Sequence, residues 1–160
     1  MKHTFLRTLS AVLLASILLC CGANASGLSS ITEAEYTLYH LLNEDRARYG
    51  LPSLILDPEL SAVARIKSQD MVTNRYFAHL SPTYGNVRSM LSSFGVSYLS
   101  AGENIARSRS VQHSNAAFLS SEGHRRNMLS RSYTHVGIGV VTDSNGFVTV
   151  TEIFVRRQQS

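Results

Sequence analysis

The residues whose types could do chemistry are His79, Glu103, Ser121, Glu122, His124 and His135. His79, Glu103 and His124 come from distant segments. Two imidazoles and a carboxylate are the donors of a metal site that keeps open positions for water. They serve equally as a carboxylate–imidazole pair set for proton transfer. Spacing does not choose between these, because no compact motif such as H-E-x-x-H joins them. Ser121 and His124, three residues apart on a helical turn, could also pair as nucleophile and base. Each residue has a plainer role as well. His79 follows Tyr76-Phe77 and precedes Leu80-Ser81-Pro82, so it could close a loop by bonding a carbonyl. Glu103 could cap backbone N–H groups and stay ionised. Ser121 could be an N-cap, His124 a surface residue and His135 a satisfied strand residue. His40 and His113 lack supporting neighbours and are expected to be exposed.

The elements that must position these residues are legible in part. Thr32 and Glu35 have capping-box spacing ahead of "EAEYTLYHLLNEDRARYG", where Leu38, Leu41, Leu42 and Asp45 follow a helical period. Gly50 and Pro52 end that helix, and Asn43 and Arg46 near its end could tie it to neighbouring backbone. Asp57 and Pro58 open a second helix expected to reach about Asn74, with Leu60, Val63, Ala64, Lys67 and Met71 along one face. A shorter helix is expected through Val87, Met90, Leu91 and Phe94, and a fourth after Ser110. The segment "SSEGHRRNML", residues 120–129, adds a helical turn or two. In it Gly123 would let the backbone approach the sheet, Arg125 and Asn127 would hold loops, and Met128 and Leu129 would pack. "THVGIGVVTD" and "GFVTVTEIFV" read as strands joined by a hairpin at 143–146. Helices first and strands last imply an α+β fold with an antiparallel sheet covered by helices.

The 160 residues are 44% hydrophobic, which suits one compact domain. A basic start, "MKHTFLR", an apolar "TLSAVLLASILL" and Ala23-Asn24-Ala25 together read as a secretory signal cleaved after Ala25. The expected division is a signal over 1–25, a leader over 26–33, the domain over 34–155 and a tail over 156–160. Both cysteines, Cys20 and Cys21, fall in the signal. The domain is therefore expected to hold together without a disulfide. A lipid anchor on Cys21 is the alternative to release. Lys2 and Arg7 are lost with the signal, so the remaining charge is nearly balanced and gives no footprint for nucleic acid. Nothing in the pattern calls for a partner chain, and a soluble monomer is expected.

The stretches "LLNEDRARYGLPSLILDPEL", "YFAHLSP", "AGENIA", "SSEGHRRNML" and "THVGIGV" occur in that order. With them, residues 34 to 155 resemble the CAP superfamily, also called SCP/PR-1-like, and in particular its small secreted bacterial branch. The resemblance implies an α-β-α sandwich with a central antiparallel sheet and a cleft lined by two His and two acidic residues. His79 matches the first His and Glu103 the first acid. The second acid follows a Trp by three residues in the family; here Phe118 stands for the Trp and Ser121 for the acid. In animal and plant members the second His precedes Tyr-Thr-Gln, whereas this chain has Ser132 ahead of Tyr133-Thr134-His135. His124 is therefore inferred to fill the cleft role, with His135 as the alternative. Glu122 receives no family role.

Such a cleft could hold Zn²⁺ or another divalent cation on His79 and His124, more weakly for want of the second acid. Relatives in the family are linked to lipid or sterol binding, to surface and host interaction, to channel blocking and in a few cases to proteolysis. The expected function is a secreted binding domain whose ligand is a lipid, a cell-envelope component or a protein. The alternative is a metal-dependent hydrolase of peptide or cell-wall substrates, with Glu103 as base and a His-bound ion as Lewis acid.

Overall fold

A computed structural model describes residues 30–158. The expected signal, its cleavage site and both cysteines lie outside the described residues. Helix α1 spans Glu33–Arg48, and its capping box forms as the sequence requires: Glu35 N–H donates to Thr32 Oγ1, and Thr32 N–H donates to Glu35 Oε2. Strand β1 is Ile55–Leu56. Helix α2 is Pro58–Thr73, with the Asp57 carboxylate accepting from Glu59 and Leu60 N–H. Helix α3 is Val87–Ser93, capped by Asn86. Strand β2 is Ser100–Ser108. Helix α4 is Val111–Ser120, capped by Ser110, and α5 is Glu122–Met128. Strands β3, His135–Thr142, and β4, Val148–Arg156, complete the chain order. Their hairpin closes through Asp143 N–H to Phe147 O at 2.8 Å.

The sheet order is β1-β3-β4-β2, which puts β2 at one edge. Two features differ from the sequence reading. The sheet is mixed, because β1 pairs parallel with β3 while the other pairings are antiparallel. The segment "AGENIA" belongs to β2, a strand of nine residues. Gly, Glu and Asn are poor strand formers, and their fit here comes from tertiary contacts. A Cβ on Gly102 would press against the Tyr133 ring and Asn127 Oδ1.

Alternation along β4 gives each face its core. Val150 and Phe154 pack with Leu38, Leu42, Phe118, Met128, Val136 and Ile138 beneath α1, α4 and α5. Ile153 and Val155 pack with Leu60, Val63, Ala64, Met90 and Leu91 beneath α2 and α3. Helix α2 lies so near β3 that a Cβ on Gly137 or Gly139 would overlap backbone atoms of Leu60, Ala64 and Arg65. Ser68 Oγ fixes the same contact by donating to Gly139 O at 3.0 Å.

Two buried charged side chains tie the layers together. Arg46 donates to Pro52 O, Met128 O and Ser130 O, so α1 holds the end of α5. Glu35 accepts two bonds from Arg65 on α2 and one from Val140 N–H on β3. Burial pushes the Glu35 carboxyl up, but Arg65 and the backbone donors outweigh it and hold the group below its ordinary value.

Candidate functional site

The loop after α2 is built on Lys67, the charged member of an otherwise apolar stripe. Its ammonium is buried and donates to Ala78 O at 2.9 Å, His79 O at 3.0 Å and Tyr76 Oη at 3.3 Å. Burial lowers its pKa, while Glu103 and Asp70 pull the other way. Asp70 accepts from Asn74 Nδ2, Tyr76 OH, Ser81 Oγ and Thr83 Oγ1. Burial raises its carboxyl, yet these donors hold it below the ordinary range. Burial and the Asp70 contact push the Tyr76 phenol up to about 12. The result is a loop whose backbone is bonded on both sides of His79.

From that loop the His79 imidazole reaches over β2. Its Nδ1 meets Glu103 Oε1 at 2.7 Å. His79 is 58% exposed and Glu103 only 4%. Glu103 Oε2 is buried without a partner. Burial raises the Glu103 carboxyl, opposed by the His79 bond and by the charges of Lys67 and His79. Glu103 is thus a buried carboxylate bonded to an imidazole, and not a cap for backbone N–H groups.

His124 approaches from the first turns of α5 and sits edge-on to Phe118 at 5.2 Å between ring centres. Burial lowers its pKa first, and the nearby charge of His79 lowers it further. A network inside the fold sets its position relative to Glu103. Asn104 Nδ2 donates to His124 O at 3.2 Å and to Glu152 Oε2 at 3.0 Å. Asn127 Nδ2 donates to Asn104 Oδ1 at 2.9 Å and to Glu103 O at 3.2 Å. Successive residues of β2 point to opposite faces, so Glu103 meets α2 while Asn104 meets α5. The site therefore wraps the edge strand.

The Ser121 side chain makes no cap hydrogen bond, although Ser121 is the N-cap residue of α5. No hydrogen bond joins Ser121 to His124 among the described residues, so no nucleophile–base pair is set. Gly123 has no close neighbour that a Cβ would meet, so it permits no special approach to the sheet. Glu122 is exposed and faces Arg126 at 3.7 Å. His135 opens β3 opposite Ile55 of β1, its Nδ1 bonded to Thr134 Oγ1 at 2.9 Å, with β4 between it and β2. No hydrogen bond or ion pair joins it to His79 or Glu103 among the described residues. Arg125 and Asn127 do hold neighbours: Arg125 donates to Leu119 O and Asn127 to β2.

Sequence reasoning missed Lys67, Asp70, Asn104 and Glu152 as supports. Lys67 carried a readable signal, a cation at an i, i+3, i+4 core position. Glu152 carried a fainter one, an acid inside an apolar strand run.

Known proteins resemble this chain in sequence and fold. The cysteine-rich secretory protein family, CAP, matches residues 39–155. The uncharacterized protein YkwD of Bacillus subtilis (strain 168) is 45% identical over 117 residues, 72% of this chain and 46% of the relative. The crystal structure of an extracellular protein containing a SCP domain from Bacillus anthracis str. Ames aligns with a TM-score of 0.73 and 35% identity, over 78% of this chain and 40% of that one. An outer surface protein of Borrelia burgdorferi shares the fold at 19% identity, with a TM-score of 0.74 over 81% of this chain and 96% of that one. The chain thus spans under half the length of each of these Bacillus proteins. No helix among the described residues is long and apolar enough to cross a membrane. Motif order, the helix-flanked sheet and the match over residues 39–155 agree: the chain belongs to the CAP, or cysteine-rich secretory protein, family.

Proposed function

We propose that this CAP domain is a secreted binding domain whose cleft, made by His79, Glu103 and His124, recognises a lipid, a cell-envelope component or another protein. The observation that carries the reading is the buried Glu103 carboxylate bonded to His79 Nδ1, with His124 near enough for the charge of His79 to lower its pKa. Secretion rests on the signal-like start with Ala23-Asn24-Ala25, and on neighbours described as extracellular or outer-surface proteins.

The same residues bear on a metal. Among the described residues no three His, Cys, Asp or Glu converge as a metal-binding group. Glu103 is engaged by Nδ1 of His79, the usual place for a carboxylate that orients a ligating imidazole. His79 Nε2 and His124 then remain as two donors, which fit a weakly held divalent ion with water elsewhere. They fall short of the three protein ligands of a catalytic zinc site. When bound, such an ion would supply Lewis acidity to the cleft.

Calorimetric titration with ZnCl₂ tests this. A weak one-site isotherm is expected for wild type, lost in His79→Ala and His124→Ala and kept in His135→Ala. Superimposable isotherms for all four proteins would remove the metal claim. One observation favours a second reading, hydrolysis: a buried carboxyl with a raised pKa, bonded to an imidazole, holds its proton to higher pH than an ordinary Glu. Turnover of peptidoglycan or peptide substrates that vanishes in Glu103→Gln would establish it. Saturable ligand binding without turnover supports the binding domain.

A further inference from the structure

A hollow lies beside the His79–Glu103 pair. It is a cavity of about 690 Å³ between the end of α2, β2 and the β3–β4 hairpin. Two elements join it to the cleft. Phe77 lines it, and His79 is two residues further along the same loop. Arg107 lines it, and shares its face of β2 with Glu103, about 13 Å away along the strand.

Its charge is one-sided. Asp143 is already committed: it accepts from Arg107 and from Asn145 and Phe147 N–H. Arg109 adds a further guanidinium close by, 3.9 Å from the Phe147 ring centre. Arg75 makes no hydrogen bond or ion pair through its side chain among the described residues. Its backbone is also unusual. Among the described residues Arg75 is the one non-glycine residue with positive φ, 54°. It ends α2 in a Schellman-type turn, with Tyr76 N–H donating to Met71 O at 3.1 Å. Glycine is the unstrained choice there, and an L side chain is strained. That conformation places an unpaired cation at the rim of the cavity.

The remaining walls mix short apolar surface, Met71 and the 51% exposed Phe77, with amide and hydroxyl groups from Asn145 and Thr149. An acyl chain needs a continuous apolar lining, which this cavity lacks. A peptide brings alternating donors and acceptors together with side chains, and suits such walls. We propose that this cavity is a binding subsite for an acidic peptide segment: a carboxylate meets Arg75 and Arg107, and an adjacent apolar side chain rests on Phe77 and Met71. The inference rests on the reading of the chain as a binding domain and names a ligand class for ground next to its cleft.

The test is an NMR titration of ¹⁵N-labelled protein with two acetylated peptides, Ala-Phe-Glu-Glu-Ala and its Gln-Gln counterpart. The Glu peptide is expected to saturate, with shifts at Arg75, Phe77, Arg107 and Asn145, and to bind at least tenfold more tightly than the Gln peptide. Arg75→Gly should weaken it at least fivefold while the melting temperature holds or rises, since glycine relieves the strained backbone; lost affinity is then not lost folding. Failure of the cleft reading shows in the ZnCl₂ titration and failure of this one in the peptide titration, so the two give different patterns. Equal affinity for both peptides, an Arg75→Gly variant that binds like wild type, or shifts confined to other surfaces would overturn the proposal. So would Arg75-dependent binding to phosphatidylglycerol vesicles with no peptide binding, which would make the surface a lipid contact.

Discussion

Glu152 illustrates how much one side chain can set. It is fully buried on β4, accepts from Asn104, and leaves Oε1 without a partner. Burial pushes its carboxyl up from 4.5 to about 8 against the Asn104 bond. The folded chain therefore binds a proton that the unfolded chain has released between these values. Stability from the neutral acid is complete below about pH 4.5 and is lost as pH rises toward 8. Glu152→Gln keeps the shape and cannot ionise. It should melt like wild type near pH 4.5 and above it at pH 8, the gap widening between. Parallel melting curves at every pH would contradict the assignment. Lys67 makes a matching case on the other face. Lys67→Met should keep the α2 core while releasing the Ala78 and His79 carbonyls. Increased amide exchange at residues 76–80, with α2 still protected, is the expected signature.

At the level of elements, caps and periodicity made the helices readable. Thr32, Asp57, Asn86 and Ser110 each accept backbone N–H bonds at a helix start. Strand β2 was not readable, because Gly102, Glu103 and Asn104 look like site residues and obtain their strand geometry from Tyr133, His79 and Glu152. The cap expected of Ser121 failed for a related reason: α4 and α5 are nearly continuous, and Ser121 is also the C-cap of α4, its N–H bonded to Ala117 O. Glycines separate close contact from open space. Gly139→Ala forces a methyl into α2 backbone and should destabilise by about 3 kcal/mol. Gly123→Ala adds one to open space within a helix and should stabilise by about 0.5–1 kcal/mol. Denaturant titration of the pair checks both, and equal effects would deny the close packing of α2 on β3.

For the molecule as a whole, the motif order carried the fold and family, while the site was legible only as a set of residue types. His79 and Glu103 stand 24 residues apart, and their contact depends on a loop bonded to Lys67, which spacing does not encode. The described domain contains no cysteine, and its stability rests on two apolar clusters joined by Arg46 and the Glu35–Arg65 pair. Melting in the presence and absence of dithiothreitol should therefore coincide. Arg46→Ala, which unties α1 from the end of α5, should cost on the order of 3 kcal/mol; a loss under about 1 kcal/mol would mean the guanidinium is not a strut.

The position of β4 between β3 and β2 also has a temporal meaning. During synthesis β2 emerges long before its pairing partner, since Glu103 lies opposite Ile153 and Asn104 opposite Glu152. Helices α4 and α5 can form from local sequence in that interval, while an edge made of polar residues waits unpaired. The proposed cleft is thus a late product of folding, completed when the final strand slides into the gap left for it.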